Sequence, residues 1–324
     1  MEKRELGKSG ISVGVIGLGC WAMGGAVWGP ADDEASVRAI HRALDLGINF
    51  LDTAPFYGLG HSEEIVGKAI KGRRDEVILA TKCGLKWDEN AQITFDSSPK
   101  RILEEVADSL RRLQVDCIDL YQIHRPDPDT PFAESTAVLV ELQKQGKIRS
   151  IGVSNYNAAQ MQETMKHCRL DSLQPPYNLF QRGIEAEILP FCRKNEIGIV
   201  AYGPMYQGLL TGKYFFDETR PADSLRRRHR ELQGDRFHIN RDALLKLKEF
   251  ADAHGKTLGQ LAINWVISRP GVTAAICGAR TPEQVEQNFG GADWRLSALE
   301  LAGIEEILAE RAGRLETLGE ETRP

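Results

Sequence analysis

Eight short apolar runs rich in β-branched residues alternate with amphipathic stretches along this chain of 324 residues. The runs predict strands and the stretches between them predict helices, a pattern typical of a parallel sheet with crossover helices. Eight strands favour a closed (β/α)8 TIM barrel of the α/β class over an open doubly wound sheet, because closure leaves no unpaired edge. The predicted strands cover residues 13–18, 49–52, 77–82, 118–123, 148–153, 172–174, 198–202 and 272–276.

Three segments exceed a minimal barrel and are expected to be peripheral. An N-terminal apolar stretch is predicted to form a strand or hairpin that caps the barrel floor, and extra helices are predicted over 241–253 and 299–312. The irregular segment 215–240 is predicted to be a long loop at the mouth. Barrels of this length are built around one core, so we expect residues 1–324 to form a single domain.

Composition argues against several kinds of partner. The formal net charge of −5 and the sequence pI near 5.9 leave no basic field to hold nucleic acid. No stretch approaches the ~18 consecutive apolar residues of a membrane span, and residues 1–6 do not resemble a secretion signal. The six cysteines are scattered singly, without the close pairs of a zinc site. We therefore expect a cytoplasmic protein without nucleic-acid, membrane or metal partners.

A glycine motif after the first predicted strand has the spacing of a dinucleotide-binding turn. Residues 17–22 read Gly-Leu-Gly-Cys-Trp-Ala and match G-x-G-x-x-A. A Rossmann turn opens directly into a helix whose N-terminus holds the pyrophosphate, whereas Gly24, Gly25 and Pro30 interrupt the chain here. The motif is therefore not expected to be a Rossmann turn, and a cofactor would have to be held elsewhere.

Ionisable side chains stand where barrel enzymes carry their catalytic groups. Asp52 ends the second strand and Tyr57 follows it, while Lys82 ends the third strand and His124 the fourth. Taken alone, Asp52 could cap a loop, Lys82 could be a solvated strand end and His124 could be a half-buried histidine with its hydrogen bonds made. Their joint placement at one mouth indicates instead an acid–base set. Asp52 would keep a buried Lys82 charged, and Lys82 would lower the pKa of Tyr57 towards neutrality. His124 would then orient the substrate oxygen.

These motifs resemble the aldo-keto reductase superfamily over nearly the whole chain. Residues 52–58, Asp-Thr-Ala-Pro-Phe-Tyr-Gly, are similar to the segment that carries its catalytic aspartate and tyrosine. Lys82 and His124 are similar to its strand-end lysine and histidine. The resemblance implies that Tyr57 is the acid/base, that Lys82 and Asp52 tune it and that His124 orients the substrate.

The same resemblance implies a nicotinamide cofactor. Ser154, Asn155 and Gln174 are similar to residues that hold the carboxamide, and Tyr202 to the aromatic that stacks on the ring. Arg280 would pair with a 2′-phosphate, which favours NADPH over NADH because a planar guanidinium suits phosphate; otherwise it is a surface arginine. The remaining implied cofactor contacts are Cys20, Trp21, Asp52, Gly203, Pro204, Met205, Gly208, Leu209, Lys213, Arg226, Gly278, Ala279, Gln284 and Asn288.

Aromatic residues and one cation are expected to line the substrate pocket. The aromatics in the loops after the first three strands are Trp21, Trp28, Phe56 and Trp87, and Arg125 follows His124. Polyols, sugars or anionic aldehydes would suit such a mouth. The candidate substrate-binding residues are Trp21, Tyr57, Trp87, His124 and Arg125.

The expected function is NADPH-dependent reduction of small aldehydes and ketones, including carbonyls derived from sugars or polyols. Residues 58–64 and Trp21 resemble the bacterial branch with general-stress and inositol-locus reductases and a glycerol dehydrogenase. Two alternatives remain. A polyol or sugar dehydrogenase working in oxidation would share every residue, and an NADPH-binding accessory barrel of the potassium-channel β-subunit type would share the fold. The intact set of four catalytic residues argues against the accessory barrel.

Overall fold

The computed structural model describes residues 1–25, 29–88, 92–217 and 229–319. Eight parallel strands in these ranges close into a barrel, and helices cover its outside, which confirms the (β/α)8 TIM barrel. Trp28 and Arg226, two residues assigned to the site from sequence, lie outside the described residues, as does much of the predicted mouth loop.

Twelve strands are described, eight of them in the barrel. They are β1 (Lys3–Glu5), β2 (Ser12–Gly14), β3 (Ile16–Gly19), β4 (Phe50–Asp52), β5 (Ile78–Cys83), β6 (Leu85–Trp87), β7 (Ile93–Phe95), β8 (Ile118–Ile123), β9 (Ile148–Ser154), β10 (Ser172–Gln174), β11 (Gly198–Tyr202) and β12 (Val272–Gly278). The barrel order is β3-β4-β5-β8-β9-β10-β11-β12, and β12 pairs back onto β3. Successive barrel strands are therefore neighbours, as in a (β/α)8 barrel.

Most of the described helices belong to the repeating βα units of the barrel, and two others are additional to these units. They are α1 (Asp33–Asp45), α2 (His61–Ile70), α3 (Pro99–Leu113), α4 (Phe132–Lys144), α5 (Ala158–Thr164), α6 (Ile188–Lys194), α7 (Lys213–Phe216), α8 (Gly234–Ala253), α9 (Leu258–Ile267), α10 (Pro282–Phe289) and α11 (Ala298–Glu316). Helix α8 and the C-terminal α11 pack against each other outside the barrel, as the sequence predicted for two extra helices.

The floor of the barrel is closed by the antiparallel hairpin β1–β2. Leu6, Ile11 and Val13 are buried against the inward-facing side chains of the barrel. Arg4 fastens the hairpin by donating hydrogen bonds to the carbonyls of Ile267 at 2.8 Å and Val272 at 2.7 Å. The predicted floor cap is thus confirmed as a hairpin.

Alternation along the strands places a polar layer directly above an apolar one. Phe50, Ala80 and Leu120 point into the barrel and pack on one another. Because side chains two residues apart share a face, Asp52, Lys82 and Gln122 point inward one layer higher, at the C-terminal mouth. The barrel interior is therefore apolar below, with a layer of polar and ionisable side chains above.

Three boundaries differ from the sequence prediction. The first predicted strand, 13–18, is divided between β2 in the hairpin and β3 in the barrel. Helix α8 begins at Gly234 rather than 241, since the buried side chains of Arg236 and Asn240 tie its first turns to the protein. The short hairpin β6–β7 after β5 was not predicted, because its β7 is exposed and carries no buried apolar face.

Membrane-spanning helices, clusters of metal-ligating side chains and disulfide bonds are not found among the described residues. None of the described helices is both long enough and apolar enough to cross a membrane. No group of three or more potential metal-ligating side chains is found among these residues. All six cysteines are free thiols.

Candidate active site

Lys82 is the centre of the polar layer at the mouth. Its side chain is 0% exposed, and its ammonium group donates to three acceptors. The Nζ–oxygen distances are 2.7 Å to Asp52 Oδ1, 2.9 Å to the Thr53 carbonyl and 3.1 Å to Tyr57 Oη. An ammonium has three protons, so every donor is used and the charge stays paired despite burial.

The second oxygen of Asp52 is held by side-chain amides from across the barrel. Gln174 Nε2 donates to Asp52 Oδ2 at 2.8 Å, and Gln122 Nε2 makes a longer contact of 3.5 Å with it. The sequence analysis did not single out Gln122, although its position two residues before His124 in β8 puts both on one face. Its Oε1 is buried and accepts no hydrogen bond from the described residues.

The turn after β4 aims Tyr57 at Lys82. The Tyr57 amide donates to Ala54 O at 3.0 Å, and Ser62 N donates to Tyr57 O at 3.1 Å. A Cβ on Gly24 would lie 2.6 Å from the Tyr57 carbonyl carbon, so only glycine lets the neighbouring turn approach this closely. The Trp21 ring covers the phenol side, with ring centroids 6.0 Å apart.

Burial and charge act in opposite directions on the two central groups. Burial lowers the pKa of Lys82, but Asp52 and Tyr57 together outweigh this effect, and the pKa lies above its usual value. Burial raises the pKa of Tyr57 above 10, and Lys82 offsets that rise only in part. The sequence-based expectation of a lowered tyrosine pKa is therefore wrong in direction, and Tyr57 is a protonated phenol at neutral pH.

His124 stands edge-on to Tyr57, with ring centroids 6.0 Å apart. Burial and the nearby charges of Lys82 and Arg125 hold the pKa of His124 well below its usual value, so the imidazole is neutral at pH 7. Its carbonyl accepts a 3.0 Å hydrogen bond from Asn155 Nδ2. A neutral ring can donate or accept one hydrogen bond at a substrate oxygen.

The residues that the resemblance assigned to the nicotinamide end lie together. Asn155 Oδ1 accepts from Tyr202 Oη at 3.0 Å, and Ser154 Oγ donates to Gln174 O at 2.8 Å. Asn155 has a left-handed backbone, with φ of 62°, which turns its amide back over the strand ends. Asn155 Nδ2 also donates to Ser154 Oγ at 3.0 Å, so these four residues form one hydrogen-bonded group, which Gln174 joins through its backbone carbonyl.

The loop after β11 exposes main chain at the mouth. Gly203 has φ of 66°, and a Cβ there would meet nothing within 4 Å. Tyr206, Gln207 and Gly208 follow with φ values of 47°, 54° and 87°, an unusual run of left-handed residues. A Cβ on Gly208 would lie 3.4 Å from Lys213 Nζ, so the lysine approaches this backbone. Met205 is half-buried, whereas Pro204 and Leu209 are buried.

The start of α10 gathers the residues assigned to the adenosine end. Gln284 Oε1 accepts from Arg280 N at 2.8 Å, and Asn288 Nδ2 donates to Gly278 O at 3.1 Å. Gly278 is exposed at the end of β12, and Ala279 beside it is buried. Arg280 is therefore presented at a helix N-terminus, where anions are favoured.

Two sequence interpretations can be judged at β3. The strand leads into a 3-10 turn over Trp21–Gly24 that ends at Gly25, and the next described helix begins at Asp33. The strand therefore does not open directly into an α-helix, as a Rossmann turn would. The Cys20 side chain is fully buried, with its sulfur 3.8 Å from Leu18 O. The structure therefore does not bring the Cys20 side chain to the mouth.

The candidate substrate residues surround the mouth above Tyr57. Trp21 is 38% exposed, and Trp87 packs against Phe56 with ring centroids 5.7 Å apart. Arg125 is exposed directly after His124. The mouth thus carries several aromatic side chains and, next to His124 in sequence, an exposed cation.

The fold and the site define a barrel enzyme with a buried acid–base centre at its mouth. The sequence model of the Aldo/keto reductase family matches residues 15–309. The chain belongs to the aldo/keto reductase family of oxidoreductases, which use nicotinamide cofactors.

Two sequence relatives and one solved structure show the range of the family near this chain. The aldo-keto reductase YhdN of Bacillus subtilis is 45% identical over 95% of this chain and 94% of its own. The NADH-specific methylglyoxal reductase of Escherichia coli is 36% identical over 92% of this chain and 95% of its own. The glycerol dehydrogenase structure from Gluconobacter oxydans has a TM-score of 0.89 and 43% identity, with 95% of each chain covered.

Proposed function

We propose that this chain reduces small aldehydes and ketones to alcohols with NADPH and that Tyr57 donates the proton. The observation that carries the proposal is the 3.1 Å contact between Tyr57 Oη and the buried Lys82 ammonium, which Asp52 holds from behind. The name of the methylglyoxal reductase relative supports carbonyl substrates.

Each of the four central residues has a separate task in this proposal. Tyr57 gives its proton to the carbonyl oxygen as negative charge develops there, and its raised pKa keeps that proton in place at neutral pH. Lys82 stabilises the phenolate that remains, and Asp52 keeps Lys82 charged. His124, neutral at pH 7, orients the substrate oxygen towards Tyr57.

The residues at the mouth fit a nicotinamide dinucleotide. Gly203 and Gly278 leave bare backbone at the ends of neighbouring strands, with space where a side chain would otherwise stand. When bound, the cofactor supplies the hydride to the carbonyl carbon. We assign the carboxamide end to Ser154, Asn155 and Gln174.

The other cofactor contacts proposed are the Tyr202 ring against the nicotinamide, the loop from Gly203 to Lys213 on the pyrophosphate, and Arg280 with Gln284 and Asn288 at the adenosine. Lys213 would bring positive charge to the pyrophosphate, and Arg280 would bring it to the 2′-phosphate. Trp21 and Asp52 lie beside the ring position. Among relatives, one is named NADH-specific and another carries NADP(+) in its name, so Arg280 is the residue on which the preference is to be tested.

Replacement of Tyr57 by phenylalanine tests the proton-donor role. We expect kcat for reduction of small aldehydes to fall by about 10²- to 10⁴-fold, the usual worth of a positioned acid, with the Kd for NADPH unchanged. Tyr177→Phe is the matched control, because the Tyr177 hydroxyl donates to Glu185, at a distance of 2.6 Å, and not to any of the four central residues. Full turnover by Tyr57→Phe would refute the assignment.

Replacement of Arg280 by methionine tests the cofactor preference. We expect the ratio of kcat/KM with NADPH to kcat/KM with NADH to fall about tenfold or more, because a charge-assisted phosphate contact is lost. Arg193→Met, an exposed arginine on α6, is the control. An unchanged ratio would mean that Arg280 does not read the 2′-phosphate.

Oxidation of a polyol is a second candidate, favoured by the similarity to the glycerol dehydrogenase structure. It uses the same residues in reverse, but the raised pKa of Tyr57 leaves little phenolate at neutral pH to act as the base. Following NADPH or NADP absorbance in both directions with matched aldehyde and alcohol pairs separates the two. Tight NADPH binding without turnover in either direction would instead favour an accessory barrel.

A further inference from the structure

We propose that the site selects carbonyl compounds that carry one anionic group, a carboxylate or a phosphate, and that Arg125 binds this group. The inference rests on the proposed carbonyl reduction and adds the substrate class. Arg125 acts as a specificity-determining residue, and Tyr57 and Lys82 keep their roles.

The backbone that carries Arg125 is fixed beside the reacting groups. His124 O, in the peptide that joins His124 to Arg125, accepts the 3.0 Å hydrogen bond from Asn155, and Asn155 is in turn held by Tyr202. The Arg125 side chain begins at this fixed point and is exposed. Its position relative to Tyr57 therefore depends on a few side-chain torsions only.

Arg125 is a charge at the mouth that the described residues leave unmatched. The structure records no hydrogen bond or ion pair for it with any described residue, whereas Lys82 is neutralised by Asp52. Asp127, two residues on, is fully engaged: it accepts from Ser97 N at 2.7 Å, Asp129 N at 2.9 Å and Thr130 Oγ1 at 2.7 Å.

The neighbouring groups strengthen the case for an anion. His124 is neutral, so the guanidinium of Arg125 is the positive charge next to it that an anion can bind. The Trp21 ring lies against Tyr57, with ring centroids 6.0 Å apart. The chain as a whole carries a net charge of −5, so an anion is attracted here by local charge rather than by the whole molecule. A guanidinium binds carboxylate or phosphate oxygens in pairs, which fixes orientation as well as affinity.

An anchored anion would place the carbonyl oxygen at Tyr57 and His124. Holding one end of a small substrate limits the orientations of the other end. The anion is held equally in the ground state and in the transition state, so this contact acts on substrate binding more than on kcat. A neutral aldehyde of similar size lacks this anchor. We therefore expect the two kinds of substrate to differ mainly in KM.

The experiment compares matched substrates with the intact protein, Arg125→Met, Arg125→Lys and a control. The pairs are butanal with 4-oxobutanoate, and glyceraldehyde with glyceraldehyde 3-phosphate. The control is Lys194→Met, which removes one exposed positive charge at the opposite end of the barrel. Initial rates are followed by NADPH absorbance at low and high salt, and the Kd for NADPH is measured separately.

We expect Arg125→Met to lower kcat/KM for the anionic member of a pair by about ten- to a hundredfold, chiefly through KM, because a charged hydrogen-bonding partner is lost. The neutral member should change by less than about threefold, and Arg125→Lys should restore part of the difference. High salt should reduce the advantage of the anionic substrate. The pair with the larger loss shows whether carboxylate or phosphate is the natural group.

Three results would overturn the inference. The first is that the unmodified protein shows no preference for either anionic substrate. The second is that Arg125→Met lowers kcat/KM equally for all four substrates. The third is that Arg125→Met raises the Kd for NADPH, which would make Arg125 a cofactor contact. Turnover of neutral aldehydes in those cases leaves the proposed reductase function standing. Absence of turnover on all four substrates would instead contradict the reductase function itself.

Discussion

At the scale of single residues, the site combines a permanent cation with two groups that stay neutral. Lys82 keeps its charge because Asp52 and Tyr57 together outweigh the effect of burial on its pKa. Tyr57 keeps its proton and His124 stays unprotonated because burial disfavours the charged form of each. The working protonation state is therefore held by the low-dielectric surroundings over a wide pH range.

This arrangement predicts a flat pH profile for reduction. The Tyr57 pKa is raised above 10, so the proton donor is retained up to that pH and lost only beyond it. The His124 pKa is lowered, so the neutral ring is retained well into acid. We expect kcat/KM measured with NADPH to vary little between about pH 6 and 9. A midpoint near pH 7 that disappears in a His124 variant would show that His124 titrates and contradict this account.

At the residue scale, the sequence predicted where the candidate catalytic residues lie along the strands. It did not predict how burial and nearby charges change their pKa values. Asp52, Lys82 and His124 each end a predicted strand, so barrel topology alone placed them at one mouth. The sign of the Tyr57 pKa shift depends on how burial compares with one nearby charge, which needs coordinates. Gln122 was missed because a glutamine inside a strand gives no signal in composition.

At the scale of elements, a buried cluster of Arg311, Asn240 and Glu231 joins the C-terminal helix α11 to helix α8 and to the 3-10 turn Arg230–Leu232. Arg311 Nε donates to Asn240 Oδ1 at 2.7 Å, and its Nη2 donates to Glu231 Oε2 at 3.0 Å. The guanidinium carbon also lies 3.7 Å from the Phe180 ring centroid. Helix α11 is thereby tied to α8 and to the loop after β10.

Loss of Arg311 should therefore cost more stability than loss of its neighbour. Arg311→Met removes a hydrogen-bonded cation from buried Glu231, which keeps Arg230 at 3.3 Å and Arg236 at 3.7 Å. We expect the free energy of unfolding to fall by roughly 1.5–3 kcal/mol. Arg314→Met removes the exposed 2.9 Å pair with Asp242 between the same two helices and should cost less than about 1 kcal/mol. Denaturant unfolding of both variants measures the difference, and equal losses would argue against a special role for the cluster.

Element boundaries were predicted least well where tertiary contacts decide them. The start of α8 contains Gly234, Asp235 and Arg236, a sequence with weak helix propensity that packing stabilises. Residues 13–18 form one apolar run, yet the chain leaves the floor hairpin and enters the barrel within it. Periodicity cannot detect that change of partner, because both strands bury apolar side chains.

At the scale of the whole molecule, the floor hairpin completes the apolar layer beneath the polar layer at the mouth. Leu6 is 0% exposed and belongs to the cluster inside the barrel, together with Phe50, Leu120 and Val200. The hairpin is therefore part of the core, although it lies outside the repeating βα pattern.

Truncation of Leu6 tests that view. We expect Leu6→Ala to lower the free energy of unfolding by about 2–5 kcal/mol, the usual cost of a cavity in a packed core. Leu299→Ala is the matched control, since Leu299 is 84% exposed on α11, and it should change stability by less than about 0.5 kcal/mol. Equal effects of the two variants would mean that the hairpin is dispensable to the core.

The pairing of β12 with β3 also has a consequence for the order of events during synthesis. The register joins Ile16 to Ala275 and Gly19 to Gly278, so the two partners leave the ribosome far apart in time. At roughly 5–20 residues per second, β3 waits on the order of 15–50 s before β12 exists. Until then the nascent sheet has two open edges, which are sites where another chain can pair. Both open edges are therefore paired, and no longer available to another chain, only after β12 has been synthesised and the barrel has closed.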